Sequence, residues 1–215
     1  MFERPLKLID NDDHHVYFTS DTHFNHDKAF IYEARGYKNR YEHNDALIEK
    51  INQVVRPEDT LIHLGDFCLN ITMPEFEQIL ARINCQNIAY VWGNHNSCIL
   101  RQYEETLHDE YDRDDIEVYP YTIGKITYLG YYKEVVVNGH QIILHHYPHQ
   151  IWNQMQNNAW QLSGHSHYTN PSTQLDHADN KILDVGWDGH GKPLSFSEIR
   201  NIMINKNHVK KDNHH

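Results

Sequence analysis

Apolar and polar positions along this chain fall into two textures. Between residues 16 and 92, short apolar runs are separated by longer stretches in which apolar residues recur every three or four positions. Val16-Tyr17-Phe18-Thr19-Ser20, Thr60-Leu61-Ile62-His63-Leu64 and Asn87-Ile88-Ala89-Tyr90-Val91-Trp92 are rich in β-branched and aromatic side chains and read as buried strands. Between them, Glu42 to Val55 places Ala46, Leu47, Ile51, Val54 and Val55 at near-helical spacing and stops at Arg56-Pro57-Glu58-Asp59. Met73-Pro74 to Arg82 does the same with Phe76, Ile79, Leu80 and Ile83, and Pro74 stands in its first turn. Strand, helix, strand, helix, strand predicts a parallel sheet with its strand ends gathered along one edge.

From Ser97 to Asp115 the pattern predicts a helix followed by an acidic, solvated loop. The texture then turns to β over Ile116–Tyr119, Lys125–Leu129, Tyr132–Val137 and Gln141–Leu144, with Asn138-Gly139 as a two-residue hairpin signal. These strands are expected to be antiparallel and to form a second sheet, or the far half of one. Ala159–Ser163 is a further apolar run. Lys181–Val185 and Leu194–Phe196 read as closing strands, and Glu198–Ile204 as a terminal helix with Ile199, Ile202 and Met203 inward. No repeat, low-complexity stretch or linker interrupts the pattern, so residues 1–215 are read as one α/β domain.

Chemistry collects where the apolar runs stop. The first run enters Asp21-Thr22-His23-Phe24-Asn25-His26, the second Gly65-Asp66-Phe67, and the third Gly93-Asn94-His95-Asn96. The strand Gln141–Leu144 enters His145-His146-Tyr147-Pro148, and Ala159–Ser163 enters Gly164-His165-Ser166-His167. Strand carboxyl ends in α/β folds are where ligand groups gather. Asp-x-His or His-x-His on extended backbone turns both side chains the same way, so one ion can take both donors. Each segment alone has an ordinary reading. Ser20-Asp21-Thr22 would serve equally as a helix cap, and Gly-Asp and Gly-Asn-His-Asn are common turn sequences.

Charge narrows the field. The formal net charge is -11, from 30 Asp+Glu against 19 Lys+Arg, and no basic block precedes the short Lys206 to Lys211 segment. A polynucleotide surface normally needs a basic stripe, so duplex nucleic acid is disfavoured as a partner. Bound cations can reverse the sign locally, which leaves a small phosphate-bearing substrate open. Cys68, Cys85 and Cys98 are too few and too scattered for a disulfide framework or a Cys-rich zinc site, and read as free thiols in a reducing compartment. No run approaches the roughly 20 apolar residues that cross a bilayer, so a soluble cytoplasmic protein without membrane contacts is expected. The 19 histidines exceed what any metal site uses, so most are bystanders; His214 and His215 are given no role.

Taken in order, Asp21-Thr22-His23, Gly65-Asp66, Gly93-Asn94-His95, His146 and Gly164-His165-Ser166-His167 resemble the calcineurin-like metallophosphoesterases over nearly all of the chain. The resemblance implies a four-layer α-β-β-α sandwich of two mixed sheets flanked by helices, with a two-metal site at the strand ends. Asp21, His23 and His167 would bind one ion, Asp66 would bridge, and Asn94, His146 and His165 would bind the second. His146 is chosen over His145 because the family's block commonly reads Ser-His-Tyr-Pro, which puts His145 in the serine position. His95 would stand beside the substrate as a catalytic residue without binding metal. The chain departs from the family at Asn96, where an acidic residue commonly follows Gly-Asn-His; an amide orients the neighbouring imidazole more weakly, so reduced or differently pH-tuned activity, rather than none, is expected. Asp184 also matches the family's closing segment, and a structural role is expected for it.

The implied chemistry is metal-dependent hydrolysis of a phosphodiester or phosphomonoester, with His95 stabilising charge or protonating the leaving group. For the two divalent ions that the resemblance implies, the mixed carboxylate, amide and imidazole donors fit Mn, Fe, Ni or Zn better than Ca, and Mn is expected first. The expected substrate is a small nucleotide or cyclic nucleotide. Phe24, Phe67, Trp92, Tyr147, Trp152 and Tyr168 are available to stack a base, or simply to pack the core. Two other functions stand against this reading: a nuclease acting on nucleic-acid ends, and a non-catalytic protein-binding module on the same scaffold, which should show gaps in the ligand set. A homo-oligomer is left open. No His-Glu-x-x-His and no nucleophile elbow is present.

Overall fold

The three apolar runs at 16–19, 60–63 and 87–90 form strands β2 (Val16–Thr19), β3 (Thr60–His63) and β4 (Asn87–Tyr90), which lie side by side and parallel. The computed structural model describes residues 5–95 and 121–208. The expected helix and acidic loop over 97–115, the expected strand 116–119, and Asn96, Cys98, His214 and His215 lie outside the described residues.

Two mixed sheets are present. The first has the order β11-β2-β3-β4-β6-β5, where β5 is Tyr121–Ile123, β6 is Ile126–Tyr128 and β11 is Leu194–Ser195. The second has the order β1-β7-β8-β9-β10, where β1 is Leu6–Leu8, β7 is Tyr132–Val137, β8 is His140–His145, β9 is Trp160–Ser163 and β10 is Ile182–Asp184. The hairpin expected at Asn138-Gly139 joins β7 to β8, and both turn residues are left-handed, with φ 47° and 84°. That is the backbone a two-residue turn needs to match the strands' twist.

One expectation is corrected. The run around Lys125–Leu129 takes the second of its two expected places, the far half of the first sheet, but it is not purely antiparallel: β6 pairs in parallel with β4 and antiparallel with β5. The chain leaves β4 at Tyr90 and runs alongside it again from Ile126, a return in parallel that strand texture alone does not reveal. The change of sheet comes only afterwards, between β6 and β7. β1, three residues long and paired in parallel with β7, is too short to show alternation in the sequence.

Strand side chains divide by parity. Val16, Phe18, Ile62, Leu64, Ala89 and Val91 face the second sheet and meet Val135, Val137, Ile142, Leu144, Leu162 and Leu183. Tyr17, Leu61, Ile88 and Tyr90 face outward onto helices α2 (Arg40–Val54) and α3 (Met73–Arg82) through Leu47, Ile48, Ile51, Phe76 and Ile79. On the outer face of the second sheet, Ile143 and Ile182 cluster with Trp152, Met155 and Ala159. A short helix α1 (Ala29–Tyr32) precedes α2, and α4 (Trp187–His190) and α5 (Phe196–Asn205) follow β10.

Helix α2 starts two residues before the expected Glu42, because Asn39 caps it by accepting from the Tyr41 and Glu42 amides at 2.9 and 3.0 Å, a contact that stabilises by about 1 kcal/mol. Its buried face includes His43 and Asn44, polar residues that the apolar pattern did not place inward. Helix α5 opens with a reciprocal Ser195–Glu198 capping box and buries Ile199 and Met203 as expected. No helix of the described residues is long and apolar enough to cross a membrane.

Candidate metal centre

The polar segments following β2, β3, β4, β8 and β9 converge at the seam between the sheets. Pairing between the first two segments continues past the strands: Asp21 donates its amide to Gly65 O at 3.0 Å, His23 to Asp66 O at 3.0 Å, and Phe24 to Phe67 O at 2.7 Å. The backbone there is not extended, as the Asp-x-His and His-x-His spacing suggested. Asp21, His23, Asp66, His165 and His167 are all left-handed, with φ of 55°, 51°, 56°, 66° and 47°. A non-glycine residue in that region costs about 1–2 kcal/mol, and such strain clusters where function demands a geometry. No helix follows Ser20-Asp21-Thr22 directly, so these residues do not act as its cap.

The side chains form two adjoining groups. In the first, His23 Nε2 lies 3.9 Å from Asp21 Oδ1 and 3.3 Å from His167 Nε2, with the two rings stacked at 5.0 Å. In the second, Asn94 Oδ1 lies 2.9 Å from His146 Nε2 and 3.0 Å from His165 Nδ1. Asp66 Oδ2 stands between the groups, 3.8 Å from His23 Nε2 and 3.5 Å from His146 Nε2. Potential ligand atoms of Asp21, His23 and His167 lie within 4.8 Å of one another, as do those of Asp21, Asp66 and His146. His165 and His167 diverge to separate groups, because left-handed backbone at both residues replaces the expected extended segment. All seven residues expected to bind metal are present and gathered, with no gap in the set.

His145 turns the other way, with its ring 4.2 Å from that of His149 and its Nδ1 accepting from the Tyr147 amide. Asp21, His23, Asp66 and His146 form a buried floor, while Asn94, His95 and His165 are exposed at the mouth. His95 donates its amide to Asp66 Oδ1 at 2.9 Å and holds its ring 5.7 Å from that of His23. The glycines before these loops permit the approach: a Cβ on Gly93 would overlap Asp66 Oδ1, and one on Gly164 would overlap Asp21 Oδ2.

The donor atoms call for a cation. His146 Nδ1 is 2.7 Å from Leu64 O, a pure acceptor, so Nδ1 carries a proton, and Nε2 is left to hold either a second proton or, as a lone pair, a cation. That nitrogen faces two further acceptors, Asn94 Oδ1 and Asp66 Oδ2. His167 repeats the arrangement: its Nδ1 faces Asp188 Oδ2 at 2.7 Å, and its Nε2 points to His23. Acceptors that face one another in a buried site need a proton or a metal ion between them.

Titration follows the same logic. Burial pushes the Asp21 carboxyl up to about 7 against the lowering pull of His146 and His167, and burial pushes His23 down to about 2. Burial also opposes the charge on Asp66, yet the contact and charge of His146 outweigh it and hold Asp66 well below the usual carboxylate range. His146 is the counterpart: burial lowers it, and Asp66 and Asp21 raise it further than burial lowers it. A bound cation would replace the proton at Asp21 and use the lone pair of a neutral His23.

Three surrounding residues complete the picture. Asp184 accepts from Ser166 Oγ at 2.5 Å, the Tyr168 amide at 3.1 Å and the Gly186 amide at 2.7 Å, and so ties β10 to the loop that carries His165 and His167. Arg35 and Asp188, which sequence reading did not single out, form an ion pair behind His167. Arg35 sits in an unpatterned turn after α1 and Asp188 in the first turn of α4, so neither had a local signal. Of the aromatics, Phe24, Phe67, Trp92 and Trp152 are core. Tyr147 is 41% exposed, with its ring 4.4 Å from His165.

Comparison with known proteins gives a consistent picture. A family model described as calcineurin-like phosphoesterase matches residues 14–205. An uncharacterized protein of Methanocaldococcus jannaschii is 36% identical over 81 residues, which is 38% of this chain and 46% of that one, so the match spans about half of its length. A protein of unknown function from Aquifex aeolicus shares the fold with a TM-score of 0.57 and 22% identity, over 88% of this chain and 99% of that one. A novel archaeal phosphodiesterase gives a TM-score of 0.41 and 16% identity over 80% and 82% of the respective chains.

Proposed function

The chain belongs to the calcineurin-like phosphoesterase family, and from that premise we propose that it hydrolyses a small phosphodiester or phosphomonoester, a nucleotide or cyclic nucleotide, at a centre for two divalent cations. The observation that carries this reading is the pair of inward-facing imidazoles, His146 and His167, each with its Nδ1 held by an acceptor and its Nε2 aimed into a ring of further donors. Asp21, His23 and His167 would hold one cation and Asn94, His146 and His165 the other. Asp66, within 4 Å of an imidazole on each side, would serve both. The set of oxygen and imidazole donors suits Mn, Fe, Ni or Zn.

Bound cations supply the Lewis acidity that polarises the phosphoryl group and makes a water nucleophile available at neutral pH. The protein's own contributions are positional and protic. The Gly93 and Gly164 loops fix the two carboxylates through the amides of His95 and His165. The exposed His95 ring, at the mouth beside His23, would deliver a proton to the leaving oxygen. Asn94 and His165, also at the mouth, would meet the substrate side of the centre. The net charge of -11 supports a small substrate over duplex nucleic acid.

The test is hydrolysis of bis(p-nitrophenyl) phosphate by chelator-stripped protein reloaded with Mn²⁺, comparing wild type with Asp66→Asn. A loss of at least about 100-fold, equivalent to about 2.7 kcal/mol of transition-state stabilisation, is expected. Equal turnover by the two proteins would refute the mechanism. A panel of nucleoside monophosphates, dinucleotides, cyclic nucleotides and end-labelled oligonucleotides then assigns the substrate, and a preference for oligonucleotide ends would replace the small-nucleotide reading by that of a nuclease.

A further inference from the structure

We propose that Arg35 and Asp188 are positioning residues that set the affinity of the cation site formed by Asp21, His23 and His167 while leaving the Asn94–His146–His165 site almost untouched. This rests on the two-cation reading above. Asp188, in the first turn of α4, uses both carboxylate oxygens. Oδ1 accepts from Arg35 Nε at 2.8 Å, and Oδ2 accepts from Arg35 Nη2 at 2.7 Å and from His167 Nδ1 at 2.7 Å. The remaining Arg35 donors reach the loop that carries the other two ligands. Nη2 donates to Asp21 O at 2.7 Å and Nη1 to Thr22 O at 2.9 Å, and Nη1 also meets His43 Nε2 at 3.0 Å.

One planar guanidinium therefore ties together all three members of the first group. It fixes the backbone at Asp21 and Thr22, where left-handed residues Asp21 and His23 aim their side chains, and it fixes Asp188, which in turn fixes His167. The carboxylate on Nδ1 selects the tautomer with the proton at the back of the ring and a lone pair at Nε2, facing His23 at 3.3 Å. The second group is held by other means: His146 is backed by Leu64 O, and among the described residues neither Arg35 nor Asp188 bonds to Asn94, His146 or His165. The Arg35 side chain is 5% exposed, so its fork has little freedom to find other partners. Lysine cannot replace it, because an ammonium offers a point charge where five coplanar N–H donors are in use.

The asymmetry separates this role from a merely structural ion pair. An ion pair that only tied α4 to the segment after α1 would, when broken, lower stability and weaken both cation sites alike. Mn²⁺ is titrated into chelator-stripped full-length protein, with free ion followed by electron paramagnetic resonance and heat by calorimetry. Wild type should take two ions per chain. Asp188→Asn should weaken one of them 10- to 100-fold, the usual effect of losing such a partner, and leave the other within about threefold. Arg35→Lys should do the same.

In a His167→Ala background, the same Asp188→Asn change should alter the weakened site less than about threefold, because the ring it orients is gone. Equal weakening of both ions, no weakening of either, or a full Asp188 effect that persists without His167 would overturn the proposal. Should metal-free Asp188→Asn fail to give a native melting transition, Arg35→Lys carries the same measurements. A wild type that binds a single ion overturns the two-cation reading alone; Asp188 is then judged on whether that one affinity falls and whether removing His167 abolishes the fall.

Discussion

Replacing Gly164 by alanine tests whether the centre depends on close approach of backbone to carboxylate. A methyl group there would meet Ser20 Oγ, Ser20 Cβ and Asp21 Oδ2. Gly164 is not left-handed, so alanine offends no backbone preference, and the whole effect comes from the collision. Asp21 and Ser20 are fully buried, so neither side chain has open space into which to swing. The carboxylate would have to leave the His165 amide, which it now meets at 3.0 and 3.2 Å. Overpacking of this kind costs about 1–3 kcal/mol, and a lost hydrogen bond to a charged group about 1.5–3; with partial relaxation, about 2–4 kcal/mol is expected.

For a chain of this size each kcal/mol moves the melting temperature by about 2–4 °C, so the metal-free variant should melt roughly 5–15 °C lower. Its Mn²⁺ affinity should fall at least about tenfold. Gly36→Ala is the comparator: φ is 84° with nothing within 4 Å, so the methyl adds only left-handed strain of about 1–2 kcal/mol and touches no ligand. It should lower the melting temperature modestly and leave Mn²⁺ binding as in wild type. The reasoning fails if Gly164→Ala binds Mn²⁺ within about twofold of wild type, or if Gly36→Ala loses as much affinity.

Two further outcomes follow from burial and exposure around the centre. Burial holds His63 neutral, down to about 3, and burial together with Arg35 does the same to His43; both groups sit near 6.5 when unfolded. Their contribution is therefore complete above about pH 6.5 and drains as pH falls toward 3, by about 1.4 kcal/mol per pH unit for each ring. Melting of the metal-free protein between pH 7 and pH 5 should show this loss, and His63→Phe should flatten the slope; parallel slopes would refute the assignment. Tyr147→Ala should raise KM for nucleotide substrates roughly 5- to 100-fold, the equivalent of about 1–3 kcal/mol per stacked base, and leave KM for an alkyl phosphodiester unchanged. Equal KM shifts for both substrates would remove Tyr147 as a base platform.

What the sequence revealed follows physical periodicity. β2, β3 and β4 were visible because a strand buried on both faces must be almost wholly apolar, and α3 was visible because its inward residues recur at helical spacing. Direction was not visible: β6 has the same texture whether it runs with β4 or against it, and only the path of the chain decides. The ligand candidates stood out because they follow apolar runs in order. Their left-handed backbone did not, because Asp and His, though enriched at positive φ, occupy it at only a small fraction of their positions and tertiary packing imposes it here. Arg35 and Asp188, 153 positions apart, were out of reach, since a long-range ion pair has no period.

The division of donors between the sheets makes the seam part of the chemistry. Of the seven candidate donors, the first sheet carries Asp21, His23, Asp66 and Asn94 beyond the ends of β2, β3 and β4, while the second carries His146, His165 and His167 beyond the ends of β8 and β9. Neither sheet holds a complete donor set, so the geometry of the centre is set by how the sheets pack. That packing is the apolar layer of Phe18, Ile62 and Leu64 against Leu144, Leu162 and Leu183. Leu64 acts at both levels, with its side chain in the layer and its carbonyl 2.7 Å from His146 Nδ1. A shift of one sheet against the other would therefore change the distance between Asp66 and His146, so the requirement for a close-packed interior and the requirement for a fixed donor geometry act on the same residues.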